Sequence, residues 1–188
     1  MIFGIVVEGV ADAAAYSTLI PRVRPAVERV LSRPSGGKAP LYQKFVGYLK
    51  EFQSLTVGKA LVIRDSDCRD PGAVEEKLEQ RLRESGFHPP FPLHFYATSC
   101  MLDTWLLADE RAVNQVARQR GKTPSAQPVT DPLEGNRNAK AMFRRMLSQA
   151  RLPADPAVYA EVAAAVEINR IRQRCPYFQQ FIDRVHAC

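Results

Sequence analysis

The chain has 188 residues and a net charge of +6, with 46% hydrophobic and 24% charged residues, the proportions of one ordinary globular domain. No apolar run approaches the roughly 18–20 residues that span a membrane. Met1-Ile2-Phe3-Gly4 lacks the basic region of a signal peptide, and the four cysteines (Cys68, Cys100, Cys175, Cys188) form no C-x-x-C pair, which argues against a zinc ribbon and predicts a reduced, cytoplasmic setting.

The charge is uneven. Residues 1–108 carry a net +1 and residues 109–188 a net +5. A near-neutral first half and a basic second half suit a metal site served by a phosphate-binding surface, and equally a plain solvated surface.

In chain order, residues 2–7 are short, apolar and rich in Ile and Val, which predicts a buried strand. Residues 11–20 predict a helix stopped by Pro21. Val27 to Leu31 predicts a second strand, and Ser32 to Lys38 a loop. Leu41, Phe45, Tyr48, Leu49 and Phe52 mark a helix over 41–53. Lys59 to Ile63 predicts the third strand. Asp70-Pro71 predicts an N-cap and first helical position, with the helix running to Glu84. After the rigid Pro89–Pro92 connector, Leu93 to Ala97 predicts a fourth strand and Leu102 to Leu107 another helix. Residues 120–134 predict a mobile loop, 136–150 and 155–174 helices, and Pro176 precedes a short final one. Strands alternating with helices predict an α/β fold with a mostly parallel sheet and helices on both faces. Residues 1–108 form its core, and 109–188 a helical part packed on the same domain.

Two acidic motifs stand at strand exits. Glu8 follows Ile5-Val6-Val7, and Asp65-Ser66-Asp67 follows Leu61-Val62-Ile63. In a parallel sheet these acids converge at the carboxyl edge, where such sheets bind ligands. An extended Asp65-x-Asp67 presents both carboxylates on one side. Mg²⁺, or Mn²⁺ in its place, removes the repulsion between gathered carboxylates. Gly9 suits a close approach or a positive φ. Asp12 reads first as a helix cap, and Asp70 as an N-cap. Gly36-Gly37-Lys38 has the ingredients of a phosphate nest but lacks the frame of an ATPase P-loop. No Ser-His-Asp or Cys-His set is visible. His88 and His94 read as structural, Cys68 as incidental and Trp105 as core. Arg137, Lys140 and Arg144 fall on one helix face opposite an apolar one.

Strand-Glu-Gly followed by strand-Asp-x-Asp resembles the TOPRIM fold of topoisomerases, primases and OLD-family nucleases. Val7 to Asp12 is similar to its first motif and Ile63 to Asp67 to its second. Asp103 to Asp109 and Arg172 to Phe181 resemble an uncharacterised TOPRIM-like family often encoded beside an ATPase and suspected of roles in phage defence. The resemblance implies a TOPRIM/Rossmann-like sheet with Glu8 as general acid/base and metal ligand. It makes Asp65 and Asp67 metal ligands, with Asp103 a further acid of unassigned role. Asp12 is a second candidate accessory acid. The chain departs from the pattern at Asp70, where TOPRIM proteins usually carry glycine. There is no room for a tyrosine-bearing topoisomerase domain and no zinc module of a primase.

The expected activity is Mg²⁺-dependent phosphodiester hydrolysis on nucleic acid, with Lys38, Arg137, Lys140 and Arg144 on the backbone phosphates. The alternatives are a non-catalytic subunit of an ATPase complex and a metal-dependent phosphotransfer enzyme acting on a small molecule.

Overall fold

Four short apolar runs, each followed by a helix-forming segment, become four parallel strands. A computed structural model of the chain describes residues 1–187. The elements are β1 (Ile2–Val7), α1 (Val10–Val23), β2 (Arg29–Pro34), α2 (Lys38–Ser54), β3 (Lys59–Asp65), α3 (Pro71–Glu84) and β4 (Leu93–Thr98). Six shorter helices follow: α4 (Asp103–Leu106), α5 (Glu110–Gln119), α6 (Ala139–Gln149), α7 (Pro156–Ala165), α8 (Ile168–Arg174) and α9 (Phe178–His186). The sheet order is β2-β1-β3-β4, all parallel. Parallel neighbours need a crossover, and the helices supply it.

Strand pleating sends alternate side chains to two separate cores. Phe3, Ile5, Val7, Leu61 and Ile63 join α1 and the C-terminal helices in the larger cluster. Val6, Ala60 and Val62 join Leu41, Phe45, Leu49 and Phe52 of α2 and Leu78 of α3 in the smaller one. Trp105 is core, as expected. It is 1% exposed and packs on Phe178 and Phe181 with ring centroids 4.7 and 5.1 Å apart.

Several boundaries differ from the sequence reading. Pro21 does not stop α1, which continues to Val23. Pro21 withholds one i→i−4 hydrogen bond, and the helix runs only two residues beyond it. β2 starts at Arg29 and takes in Ser32-Arg33-Pro34, expected as loop. Because β2 is an edge strand, Pro34 can close it without breaking an interior ladder. The segment 155–174 is two helices, not one. Arg22 takes the carbonyls of Ala163 and Val166 at 2.6 and 2.7 Å, and Glu167 N–H donates to Asp109, so tertiary partners end α7 there. The 120–134 loop is irregular but anchored: Asn114 bonds both backbone groups of Ala126, and Leu133 is buried.

Candidate metal and catalytic site at the carboxyl edge

β1 and β3 are neighbours in register, so their carboxyl ends lie side by side. Glu8 follows β1 and Asp65 ends β3. Glu8 Oε1 accepts the backbone N–H of Asp65 at 3.3 Å and faces Arg64 Nε at 3.5 Å. The Arg64 guanidinium stacks 4.6 Å over the Tyr42 ring and donates to its hydroxyl. Asp65 Oδ1 accepts from Thr98 Oγ1 and from the N–H of Leu102, both at 3.2 Å. Groups of β3, β4 and the segment before α4 therefore fix the two acids, with α2 behind Arg64.

Desolvation pushes the Asp65 carboxyl well above its ordinary range, and the negative charges of Asp12, Glu8 and Asp103 add to that. Desolvation also raises Glu8, against the lowering effect of Lys38 and Arg64. Asp12 is raised by burial first, while its hydrogen bond from Gly9 N–H and the charge of Lys140 act the other way. Asp12 is the cap expected of it, closing on Gly9 at 2.8 Å, yet it also lines the site. Gly9 is extended at φ −128°, so positive φ is not its role. A Cβ there would meet Asp12 Oδ2 at 3.0 Å, so close approach is. Asp103 is 4% exposed and accepts the Tyr159 hydroxyl at 2.7 Å.

Glu8, Asp12 and Asp65 border an open cleft of about 510 Å³, which Lys44, Tyr48 and Lys140 line from the other sides. Gly36 and Gly37, at φ 93° and 124°, wrap the loop around Glu8. Their N–H groups donate to the Glu8 carbonyl at 2.9 and 2.8 Å, so they are not the phosphate nest expected.

Asp67 departs from the expected geometry. β3 ends at Asp65, and Asp67 and Cys68 turn left-handed at φ 53° and 59°. The period-two argument holds only along extended chain. Asp67 therefore leaves the side of Asp65 and pairs with Lys38. It lines a separate surface hollow with Cys68, Arg69, Met101 and Arg137. Lys38, expected on phosphate, is engaged by Asp67 and also faces the charge of Glu8. Among the described residues, no three histidine, cysteine or acidic side chains converge to hold a metal ion. What does converge is a set of hard oxygen donors with raised proton affinity, the donor chemistry that Mg²⁺ or Mn²⁺ favours. Glu8 and Asp65 supply oxygen donors of that kind. Asp12 lines the same cleft.

The basic residues of the second half separate. Arg137, Lys140 and Arg144 are all exposed, as expected. Lys140 borders the acidic cleft, Arg137 the Asp67 hollow, and Arg144 acts on Tyr159. Asp70 is the N-cap expected, accepting from Gly72 and Ala73. Cys68 is not incidental. It is disulfide-bonded to Cys100, 32 residues away. Arg64, Tyr42 and Lys44 were not singled out from sequence, and Tyr48 only as part of the α2 stripe. The available signal was Arg64 itself, a charge inside an apolar strand.

No curated protein matches the chain, and no solved structure does. One family model matches, over residues 7–186, which is most of the chain. The chain belongs to the family described as Domain of unknown function (DUF4276).

Proposed function

We propose that this chain is a divalent-metal-dependent nuclease, with TOPRIM-like chemistry at Glu8 and Asp65. The observation that carries the reading is the pairing of those two desolvated acids in a cleft at the carboxyl edge of a parallel sheet. Asp65 and Glu8 would hold Mg²⁺ or Mn²⁺, with Asp67 the third candidate ligand. When bound, the ion polarises the scissile phosphate and stabilises charge on the leaving oxygen. Glu8, whose burial raises its proton affinity, moves a proton at the attacking or leaving oxygen. Arg64 and the Asp65 N–H orient its carboxylate. Lys140 and Lys44 border the cleft and attract the phosphate backbone. A partner ATPase and a role in phage defence belong to the same reading.

The pairing of Asp67 with Lys38 favours a second reading, a non-catalytic subunit of an ATPase complex. One experiment separates them. Wild type and Glu8→Gln are assayed on single- and double-stranded DNA and RNA with Mg²⁺ and Mn²⁺, with and without the ATPase. The nuclease reading expects wild-type cleavage and a loss of about 10²-fold or more in the variant. Absence of wild-type cleavage in every arm would leave the binding subunit.

A further inference from the structure

The Ser66–Arg69 turn is tied to the loop after β4 by three independent links. Ser66 Oγ donates to the Ser99 carbonyl at 2.8 Å, and Asp67 N–H donates to the Cys100 carbonyl at 3.0 Å. Between them the Cys68–Cys100 disulfide closes the pair covalently. The turn so held contains the two left-handed residues, Asp67 and Cys68. A non-glycine residue in that region costs of order 1 kcal/mol and persists where the surroundings impose it. The same turn carries the Asp67 carboxylate, which pairs with Lys38 and does not line the acidic cleft.

We propose that Cys68 and Cys100 form a reversible redox site that governs whether Asp67 joins Glu8 and Asp65. The proposal rests on the metal-site reading above. In the oxidised chain the disulfide holds the turn left-handed and Asp67 stays on Lys38. Reduction by a dithiol breaks the sulfur–sulfur bond. Two electrons and two protons pass to Cys68 and Cys100, and the reductant becomes a disulfide. With the covalent link gone, only the Ser66 and Asp67 hydrogen bonds hold the turn, and it relaxes toward extended backbone, in which Asp67 lies on the side of Asp65 by the period of two. A third carboxylate raises the affinity of the site for a hard divalent cation.

Position supports regulation rather than a staple. Cys100 is 1% exposed, but Cys68 is only partly buried and borders an open hollow of about 330 Å³, so a reductant can reach it. Reachable disulfides are the labile ones. Cys175 is a free thiol in the core, where burial pushes it up to about 12, and it takes no part.

The test is Mn²⁺ titration of the full chain by calorimetry, in four arms. These are air-oxidised wild type, wild type reduced with dithiothreitol and desalted without air, Cys68→Ser, and Cys68→Ser with Asp67→Asn. Thiol titration accompanies each arm, and circular dichroism checks the fold. Reduction should expose two more thiols and tighten Mn²⁺ by about tenfold or more, as added ligand charge does elsewhere. Cys68→Ser should bind as tightly without reductant, and Asp67→Asn should cancel the gain. Equal, measurable affinity in oxidised and reduced wild type overturns the switch and leaves the metal site standing. So does an unchanged thiol count. No Mn²⁺ binding in any arm removes the switch and the metal site together. Should Cys68→Ser fail to fold, the two wild-type arms decide alone.

Discussion

Arg64 Nε lies 3.5 Å from Glu8 Oε1, with each side chain 13% exposed. The residue that favours the charged form of Glu8 is thus the chain neighbour of the residue whose N–H anchors it, Asp65. Adjacent strand positions point to opposite faces. Arg64 reaches Glu8 from the α2 side, over Tyr42, while Asp65 turns to the side of Tyr16 and Leu102.

The first prediction follows from that contact. Arg64 lowers the proton affinity of Glu8, against its burial. Arg64→Met keeps the stem and removes the cation, so Glu8 should hold its proton to higher pH. The limb of the cleavage profile that reports Glu8 should move to higher pH, measured as initial rate against pH with Mn²⁺. A profile superimposable on wild type would detach Arg64 from the chemistry.

Asp65 gives a stability prediction with a definite sign. Its unfolded value is the ordinary 3.8 and its folded value is raised. Above about pH 4 the folded chain binds the proton that the unfolded chain has released, so stability from this group falls as pH rises. Asp65→Asn retains an acceptor for Thr98 and Leu102 and removes the charge. With chelator present, its Tm should exceed wild type by an amount that grows from pH 4 to 8. The expected scale is about 2–4 °C, as 1 kcal/mol produces in a chain of this size. A constant or negative difference would show that Asp65 is not held as a costly buried charge.

Asp109 answers to structure, not chemistry. It is 2% exposed, accepts Arg170 at 2.6 Å, and takes the N–H groups of Arg111 and Glu167. Asp109→Ala leaves those donors without their acceptor and should cost about 2–3 kcal/mol, the range for hydrogen bonds to a buried charge. Urea denaturation measures it. Metal affinity should not move.

The exposed cations separate by position. Lys140→Ala should weaken nucleic-acid binding and lower the salt slope by about one unit, as loss of one phosphate contact does. It should also raise the proton affinity of Asp12, which Lys140 now lowers. Arg144→Ala, beside Tyr159, should change the slope less. Equal effects would return the whole helix face to a uniform basic surface.

Much of the fold was legible. The four apolar runs, the Asp70 N-cap and the amphipathic stripe of α2 follow from local rules, and they carried Glu8 and Asp65 to one sheet edge. What local rules missed was decided at a distance. Period-two reasoning ran past Asp65 into a turn that Cys100 helps to hold. The 155–174 helix broke because Arg22 and Asp109, far away in sequence, take its backbone groups. Asp12 read as a cap because capping is a four-residue pattern. Its place in the cleft depends on α6 arriving with Lys140.

The sheet separates two hydrophobic clusters of unequal size, and the cleft lies along their seam. Its acidic wall, with Asp12 on α1, is backed by the larger cluster. Its other wall, with Lys44 and Tyr48 on α2, is backed by the smaller one. Units with fewer buried contacts open at lower free energy, so amides of α2 should exchange with solvent sooner than those of α1. The acidic wall is then the firmer side of the cleft. Phe45→Ala, in the small cluster, should speed exchange in α2, whose Tyr42 backs Arg64, well before it does so in α1.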